Sequence, residues 1–242
     1  MVGYYNTLPF LYGLKQNDAF NLILDIPSKC MDYYDRGEAD IALVPVVTLL
    51  ERTDYEIVTD YCIGCVGAVR TVSLFSNENL EGVTKIYLDK DSRTSQLLVK
   101  TLCKKLWNIR PSFEECNVHN IRPEELNANE AVLMIGDKVF EVEDSFQNNY
   151  DLGVEWQKLT GLPFAFAVWI ARNDIAPSFV KQLNHALSLG VNNIDAVLEQ
   201  NKTLATKIDL SEYFSKYIDF HFNSEKEKAL NLFYEYNKVL TS

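Results

Sequence analysis

Short runs of uninterrupted apolar residues punctuate this chain, and between them the apolar positions fall at helical spacing. Ile41–Val44, Ala131–Ile135 and Phe164–Ala171 are apolar throughout. Runs of that length predict strands covered on both faces. Val2–Tyr5, Leu22–Ile26, Lys85–Leu88 and Ser112–Cys116 read as further strands, and Tyr55–Ser76 as two or three strands broken at Gly64 and Gly67. Leu97, Leu98, Thr101, Leu102 and Leu106 share one helical face, so a helix is expected from Asp91 or Ser92 to about Trp107. Ser28–Arg36 reads as a helix capped by Ser28 and ended by Gly37. Pro9–Gly13 is expected to be a turn or short helix, Val46–Arg52 a short helix, and Tyr150–Thr160 a polar loop with a short helix. Pro177–Gly190, Asn192–Gln200 and Ser224–Leu240 are helical in pattern.

Strands and helices thus alternate, which is the α/β pattern. The order suggests two lobes. Residues 1–82 plus 167–242 are expected to form one and residues 83–166 the other, with a ligand cleft between them at the carboxyl ends of strands.

The 242 residues carry 23 Lys+Arg against 34 Asp+Glu, a formal net charge of −11. That balance argues against nucleic acid or an anionic membrane as partner, since both call for a basic surface. No apolar run approaches the roughly 18 residues of a membrane helix. The start, MVGYYNTLPF, shows no secretory signal pattern, and the cytoplasm is the expected compartment. The five cysteines include Cys62-Ile-Gly-Cys65, but that pair sits in strand-like sequence without a second ligand pair. Buried thiols are expected rather than a redox or metal centre. No G-x-S-x-G, H-E-x-x-H or G-x-G-x-x-G pattern occurs, and no metal or other cofactor is expected.

The segment from Leu88 through Asp89 to Ser95 is the most informative. A strand runs at once into Ser92, Arg93, Thr94 and Ser95 opening a helix. Free N–H groups, the positive dipole end and three hydroxyls suit an anion such as a carboxylate. Plain capping by Ser92 is an equal alternative. Asn6 follows a strand and offers both a donor and an acceptor to a substrate, or else forms an Asx-turn ahead of Pro9. Gly136-Asp137 follows a buried strand, and Asp137 is open to three readings: a base, a hydroxyl partner, or the cap of a short helix at Lys138–Phe140, the last being favoured. Phe166 and Trp169 read as core or hinge ahead of ligand platforms.

Several blocks occur in order: Asn6-Thr7-Leu8-Pro9-Phe10-Leu11-Tyr12-Gly13, Gly37 through Pro45, Leu88-Asp89 with Ser92-Arg93-Thr94-Ser95, Ile135-Gly136-Asp137, Asp151-Leu152-Gly153, Thr160 through Phe164, and Ala167-Val168-Trp169. Together, from Gly3 to about Arg172, they resemble the chorismate dehydratase family of the futalosine route to menaquinone. Gly3-Tyr4-Tyr5-Asn6 stands where that family usually shows Ser-Tyr-Leu-Asn, and the chain is expected to start short of the family's first strand. The resemblance implies a type 2 periplasmic-binding-protein-like fold used as a cytoplasmic, cofactor-free lyase acting on chorismate. It implies catalytic roles for Asn6 and Asp137 and substrate binding by Ser92, Arg93, Thr94, Ser95, Gly136 and Trp169. The rivals are a non-catalytic binding protein for a small carboxylate, the sister enzyme 1,4-dihydroxy-6-naphthoate synthase, whose Ser-Pro-Cys-Pro-Asn-Asp character is absent here, and a purely structural protein.

Overall fold

A computed structural model describes residues 1, 3–50, 52–90, 92–118, 121–204 and 208–238, with the backbone alone at 27 and 28. The strands are β1 (Ile41–Pro45), β2 (Glu56–Cys65), β3 (Val72–Ser76), β4 (Lys85–Asp89), β5 (Ser112–Cys116), β6 (Glu130–Ile135), β7 (Asn148–Asp151), β8 (Phe164–Ala171) and β9 (Asp219–His221). The α-helices are α1 (Leu8–Leu14), α2 (Pro27–Asp35), α3 (Arg93–Lys105), α4 (Val139–Val142), α5 (Leu152–Thr160), α6 (Pro177–Val191), α7 (Ile194–Gln200), α8 (Leu210–Glu212) and α9 (Ser224–Asn237). The chain forms two compact units, Met1–Cys65 with Ala165–Ser224, and Val66–Phe164 with Glu225–Ser242.

The first unit is built on a sheet of order β1-β8-β2-β9. β1 pairs antiparallel with β8, setting Leu43 opposite Trp169. Phe10 of α1 is fully buried. Its ring meets Tyr61, Trp169 and Phe220 edge-on at 6.3, 5.9 and 5.3 Å, the geometry that aromatic quadrupoles favour. Two glycines bring α1 and α6 into backbone contact. A Cβ on Gly13 would stand 1.7 Å from the Ala186 carbonyl oxygen, and one on Gly190 would stand 1.6 Å from that of Pro9. No side chain fits at either place, so the pair holds α1, and the turn before it, close against α6.

The second unit has a sheet of order β5-β4-β6-β3-β7. β4 runs parallel to β5 and β6, while β3 runs antiparallel to β6 and β7. All six residues of β6 are buried. Its side chains alternate between faces. Val132 and Met134 join Phe75, Val118, Leu126, Val139 and Phe146 in one core. The opposite face is closed by α3 and α5, which bury Leu98, Leu102 and Trp156 completely.

Several expected elements change. The strand expected at Val2–Tyr5 is absent among the described residues. A 3-10 turn occupies Tyr5–Thr7, and Val2 lies outside the described residues. Leu22–Ile26 is extended but is not a strand. The Met1 ammonium donates to the Ile23 carbonyl at 2.6 Å and the Asp25 N–H to that of Met1 at 3.1 Å, while Leu24 and Ile26 are exposed and pack no face. α2 starts at Pro27, so Ile26 holds the N-cap position, and the Ser28 side chain lies outside the described residues. Among the described residues of the segment expected as Val46–Arg52, Val46–Leu49 alone is helical, and it is a 3-10 turn. β7 and β9 are short, and the hydrophobic pattern does not reveal them.

The unit boundaries move as well. β3 inserts between β6 and β7, so the first crossing falls at Cys65–Val66 rather than after residue 82, and the return at Phe164–Ala165. α9 belongs to the second unit rather than the first. Phe233 meets Trp156 and Phe164 at 6.0 and 5.3 Å, and Thr101 Oγ1 donates to Asn237 Oδ1 at 3.0 Å.

Two stability measurements test this packing. Gly190→Ala, which must push α6 off α1, should destabilise the protein by about 1–3 kcal/mol in urea unfolding. The Glu130 carboxylate accepts from the Asn127 N–H at 3.0 Å, the Asn127 amide at 2.9 Å and Tyr87 OH at 2.8 Å. The Asn127 N–H, then Tyr87, hold its carboxyl below the ordinary range. A depressed pKa stabilises the fold above the unfolded value and stops doing so as pH falls through the folded one. Glu130→Gln should therefore lower the melting temperature at neutral pH, and the difference from wild type should vanish in acid.

Candidate functional site

The carboxyl ends of β4 and β6 and the amino end of β3 meet at one edge of the second unit's sheet, because β4 and β6 are parallel and β3 opposes them. Val72 pairs with Ile135 there, and Leu88 with Leu133. α3 begins directly beyond β4. Ser92 is its N-cap, and its Oγ accepts the Ser95 N–H at 3.3 Å. Its hydroxyl also donates to Ser95 Oγ at 2.7 Å. Both alternatives for this segment thus share the same atoms. Ser92 caps the helix, and of two paired hydroxyls only one proton lies between the oxygens, leaving the other to donate outward. Thr94 and Ser95 are buried, and Arg93 is exposed.

Gly136 and Asp137 follow β6 at the same edge. Gly136 has φ +74°, a left-handed conformation that favours glycine. Its N–H donates to the Thr71 carbonyl at 2.8 Å. Asp137 is half-buried and is not the cap of α4. Lys138 holds that position, without a side-chain capping bond, because the helix starts one residue later than the sequence suggests.

Sequence reasoning named two further groups here without assigning them roles. The carboxylate of Asp89, the last residue of β4, is 1% exposed and is ion-paired with the Lys138 ammonium. The Asp89 carbonyl accepts from Gln96 Nε2 at 3.0 Å and from the Ser92 N–H at 3.3 Å. Asp151, at the end of β7, accepts N–H groups from Val69 at 3.0 Å, Arg70 at 2.6 Å, Gly153 at 2.9 Å and Val154 at 3.2 Å. Burial nonetheless pushes its carboxyl above the ordinary range, against the pull of those N–H groups. Arg70 sits at φ +65°, a strained conformation for a residue with a Cβ. Its guanidinium binds Glu143 at 2.6 Å and lies 5.0 Å from the Phe140 ring centre. A charged residue closing a buried strand was the available signal for Asp89, and an acid opening α5 was the one for Asp151.

The other candidates belong to the first unit. Asn6 lies in the 3-10 turn ahead of α1, and its Oδ1 is buried with no hydrogen-bond partner, so the expected Asx-turn does not form. Trp169 is 4% exposed in β8, packs edge-on against Phe10, and leaves its Nε1 without a partner. Cys62 and Cys65 are buried in β2, away from any helix start. Cys103 is buried too, and burial raises its thiol to about 12. Among the described residues, no three His, Cys, Asp or Glu side chains gather as a metal would need, and no helix is long and apolar enough to cross a membrane.

Two mixed α/β units, one with polar groups gathered at the carboxyl ends of its parallel strands, have the periplasmic-binding-protein-like fold. A Candida albicans protein described as having the generic periplasmic binding protein fold is similar over 100% of this chain and 89% of its own, with TM-score 0.61 and 12% identity. A solved protein of Archaeoglobus fulgidus is similar over 100% of this chain and 96% of its own, with TM-score 0.74 and 13% identity. The chain belongs to the menaquinone biosynthesis family, whose family model matches residues 1–238. It is similar to a chorismate dehydratase of Thermus thermophilus, with 25% identity over 253 residues, 96% of this chain and 92% of that protein.

Asp151→Ala removes the cap of α5 and strands the N–H groups of Val69 and Arg70. It should destabilise the fold by about 2–4 kcal/mol in chemical denaturation. Asp151→Asn should recover little, because its amide NH2 must face donors.

Proposed function

We propose that this protein is a chorismate dehydratase, a hydro-lyase that removes water from chorismate to give 3-[(1-carboxyvinyl)oxy]benzoate. The observation that carries this reading is membership of a menaquinone biosynthesis family across residues 1–238, joined to similarity with a chorismate dehydratase over 96% of the chain. A biosynthetic role of this kind fits the cytoplasm.

The reaction breaks the C3–H and C4–O bonds of the ring. The C3–H electron pair becomes the new ring double bond, and the C4 hydroxyl leaves with a proton as water. The enolpyruvyl ether stays in place. Aromatization favours the product, so the protein's main task is to hold two carboxylates and the hydroxyl in register while one proton moves.

The hydroxyl pair of Ser92 and Ser95 at the start of α3 suits one carboxylate, with Thr94, Arg93 and the Gly136 backbone around it. Asn6 orients the other carboxylate or the leaving hydroxyl. Its buried, unpartnered Oδ1 supports that role, because a protein rarely leaves such an atom unsatisfied unless a ligand completes it. The orphaned Trp169 Nε1 supports a ligand-facing role in the same way. Asp137, half-buried in the loop after β6 at the same edge of the sheet and not the N-cap of α4, is the nominated base. A substrate carboxylate is its competitor for that role.

Purified protein mixed with chorismate, with no metal or cofactor added, should consume it and release the enolpyruvyl benzoate, followed by chromatography. Saturable binding without turnover would instead mean a carboxylate-binding protein. Asp137→Asn should lower kcat by about 100-fold or more if Asp137 is the base. A loss under about tenfold, roughly 1.4 kcal/mol, would transfer that role to the substrate carboxylate.

A further inference from the structure

The hydroxyls at the start of α3 have acidic surroundings. Asp89 stands three residues before Ser92 in the chain, and Asp137 follows the neighbouring strand. An acidic residue stands in each of these two loops, and hydroxyl protons and a helix dipole carry only partial charge. A full positive charge near the sheet would strengthen anion binding at this edge. Lys90 and Arg93 are exposed to solvent, and the Arg70 guanidinium is engaged by Glu143. Lys138, between β6 and α4, is the sheltered cation of this edge among the described residues.

We infer that Lys138, seated against the buried carboxylate of Asp89, is the cation that pairs with the substrate carboxylate held by Ser92 and Ser95. This rests on the chorismate dehydratase reading and adds a residue to it. Among the described residues, Asp89 is the sole acceptor of the Lys138 ammonium, which carries three protons. The Lys138 side chain is 17% exposed, so it is sheltered yet reachable, while Asp89 is 1% exposed and sits behind it. Asp89 also ties this cation to the hydroxyls, since its own carbonyl accepts the N–H of Ser92 and the amide of Gln96 on α3. The ion pair therefore joins the loop carrying Gly136 and Asp137 to the loop carrying the serines. A ligand carboxylate inserted here completes an arrangement of one buried acid, one ammonium and one incoming acid.

The test separates binding from chemistry. Lys138→Gln should raise KM for chorismate at least tenfold while kcat falls less than threefold. Lys138→Arg, which keeps the charge, should keep KM within threefold of wild type. Because Lys138→Gln leaves Asp89 without its counter-ion, the double variant Lys138→Met with Asp89→Asn, which strands no charge, should be measured alongside. Its KM should still rise at least fivefold, since the lost ammonium faces the ligand and the lost carboxylate lies behind it. A KM within twofold of wild type in the double variant would overturn the inference, as would a Lys138→Arg variant as impaired as Lys138→Gln. A wild-type protein that neither turns over nor binds chorismate would instead bring down the dehydratase reading itself. Turnover by wild type with an unmoved KM in the Lys138 variants would bring down this assignment alone.

Discussion

Asp151 is a carboxylate with backbone N–H groups on every side. Val69 and Arg70 approach it from the segment ahead of β3, and Gly153 and Val154 from the first turn of α5. Four amide dipoles replace the water it loses, and with them it holds together segments more than 80 residues apart. The rest of this edge hangs on that anchor in sequence. Val69 and Arg70 place Thr71, whose carbonyl takes the Gly136 N–H. Gly136 places Lys138, which binds Asp89, and the Asp89 carbonyl takes two donors from the start of α3. Each link is a hydrogen bond, an ion pair or a residue or two of chain, and the series runs from Asp151 to the loops that carry Asp137 and the serines.

The first unit is held by the opposite device, the absence of side chains. Gly13 and Gly190 let α1 and α6 touch backbone to backbone, and α1 in turn presses Phe10 into an aromatic cluster with Tyr61, Trp169 and Phe220. The turn bearing Asn6 leads directly into that helix. A rigid seat suits the elimination proposed above, in which the product's aromaticity supplies driving force and the protein supplies geometry. Asn6 Oδ1 and Trp169 Nε1 stay buried and unpaired in this unit, a cost that the surrounding packing offsets.

Much of this was legible beforehand. The apolar runs at Ile41–Val44, Ala131–Ile135 and Phe164–Ala171 became strands because burial on both faces leaves no room for polar side chains. The leucine stripe of α3 and the hydroxyls at its start announced a helix opening at a strand's end. The family blocks marked the menaquinone biosynthesis family. Leu22–Ile26 misled because β-branched and leucine content measures fit to a sheet, and no sheet face was there to receive Leu24 and Ile26. β7 and β9 went unseen because edge strands of three or four residues carry too few positions for a period to register.

The sequence by itself determined the fold class, the order of most elements and the segments where polar chemistry gathers, since these follow from local burial period and from residues close together in the chain. Only the tertiary structure decided which sheet β3 joins, where the chain crosses between units, that α9 closes the second unit, and that Lys138 faces Asp89. Each of those depends on partners far apart in the chain, such as Lys138 with Asp89, 49 residues away, and Asn237 with Thr101, 136 residues away. Pairings of that range are selected by the free energy of the whole packed arrangement, and no local pattern encodes them.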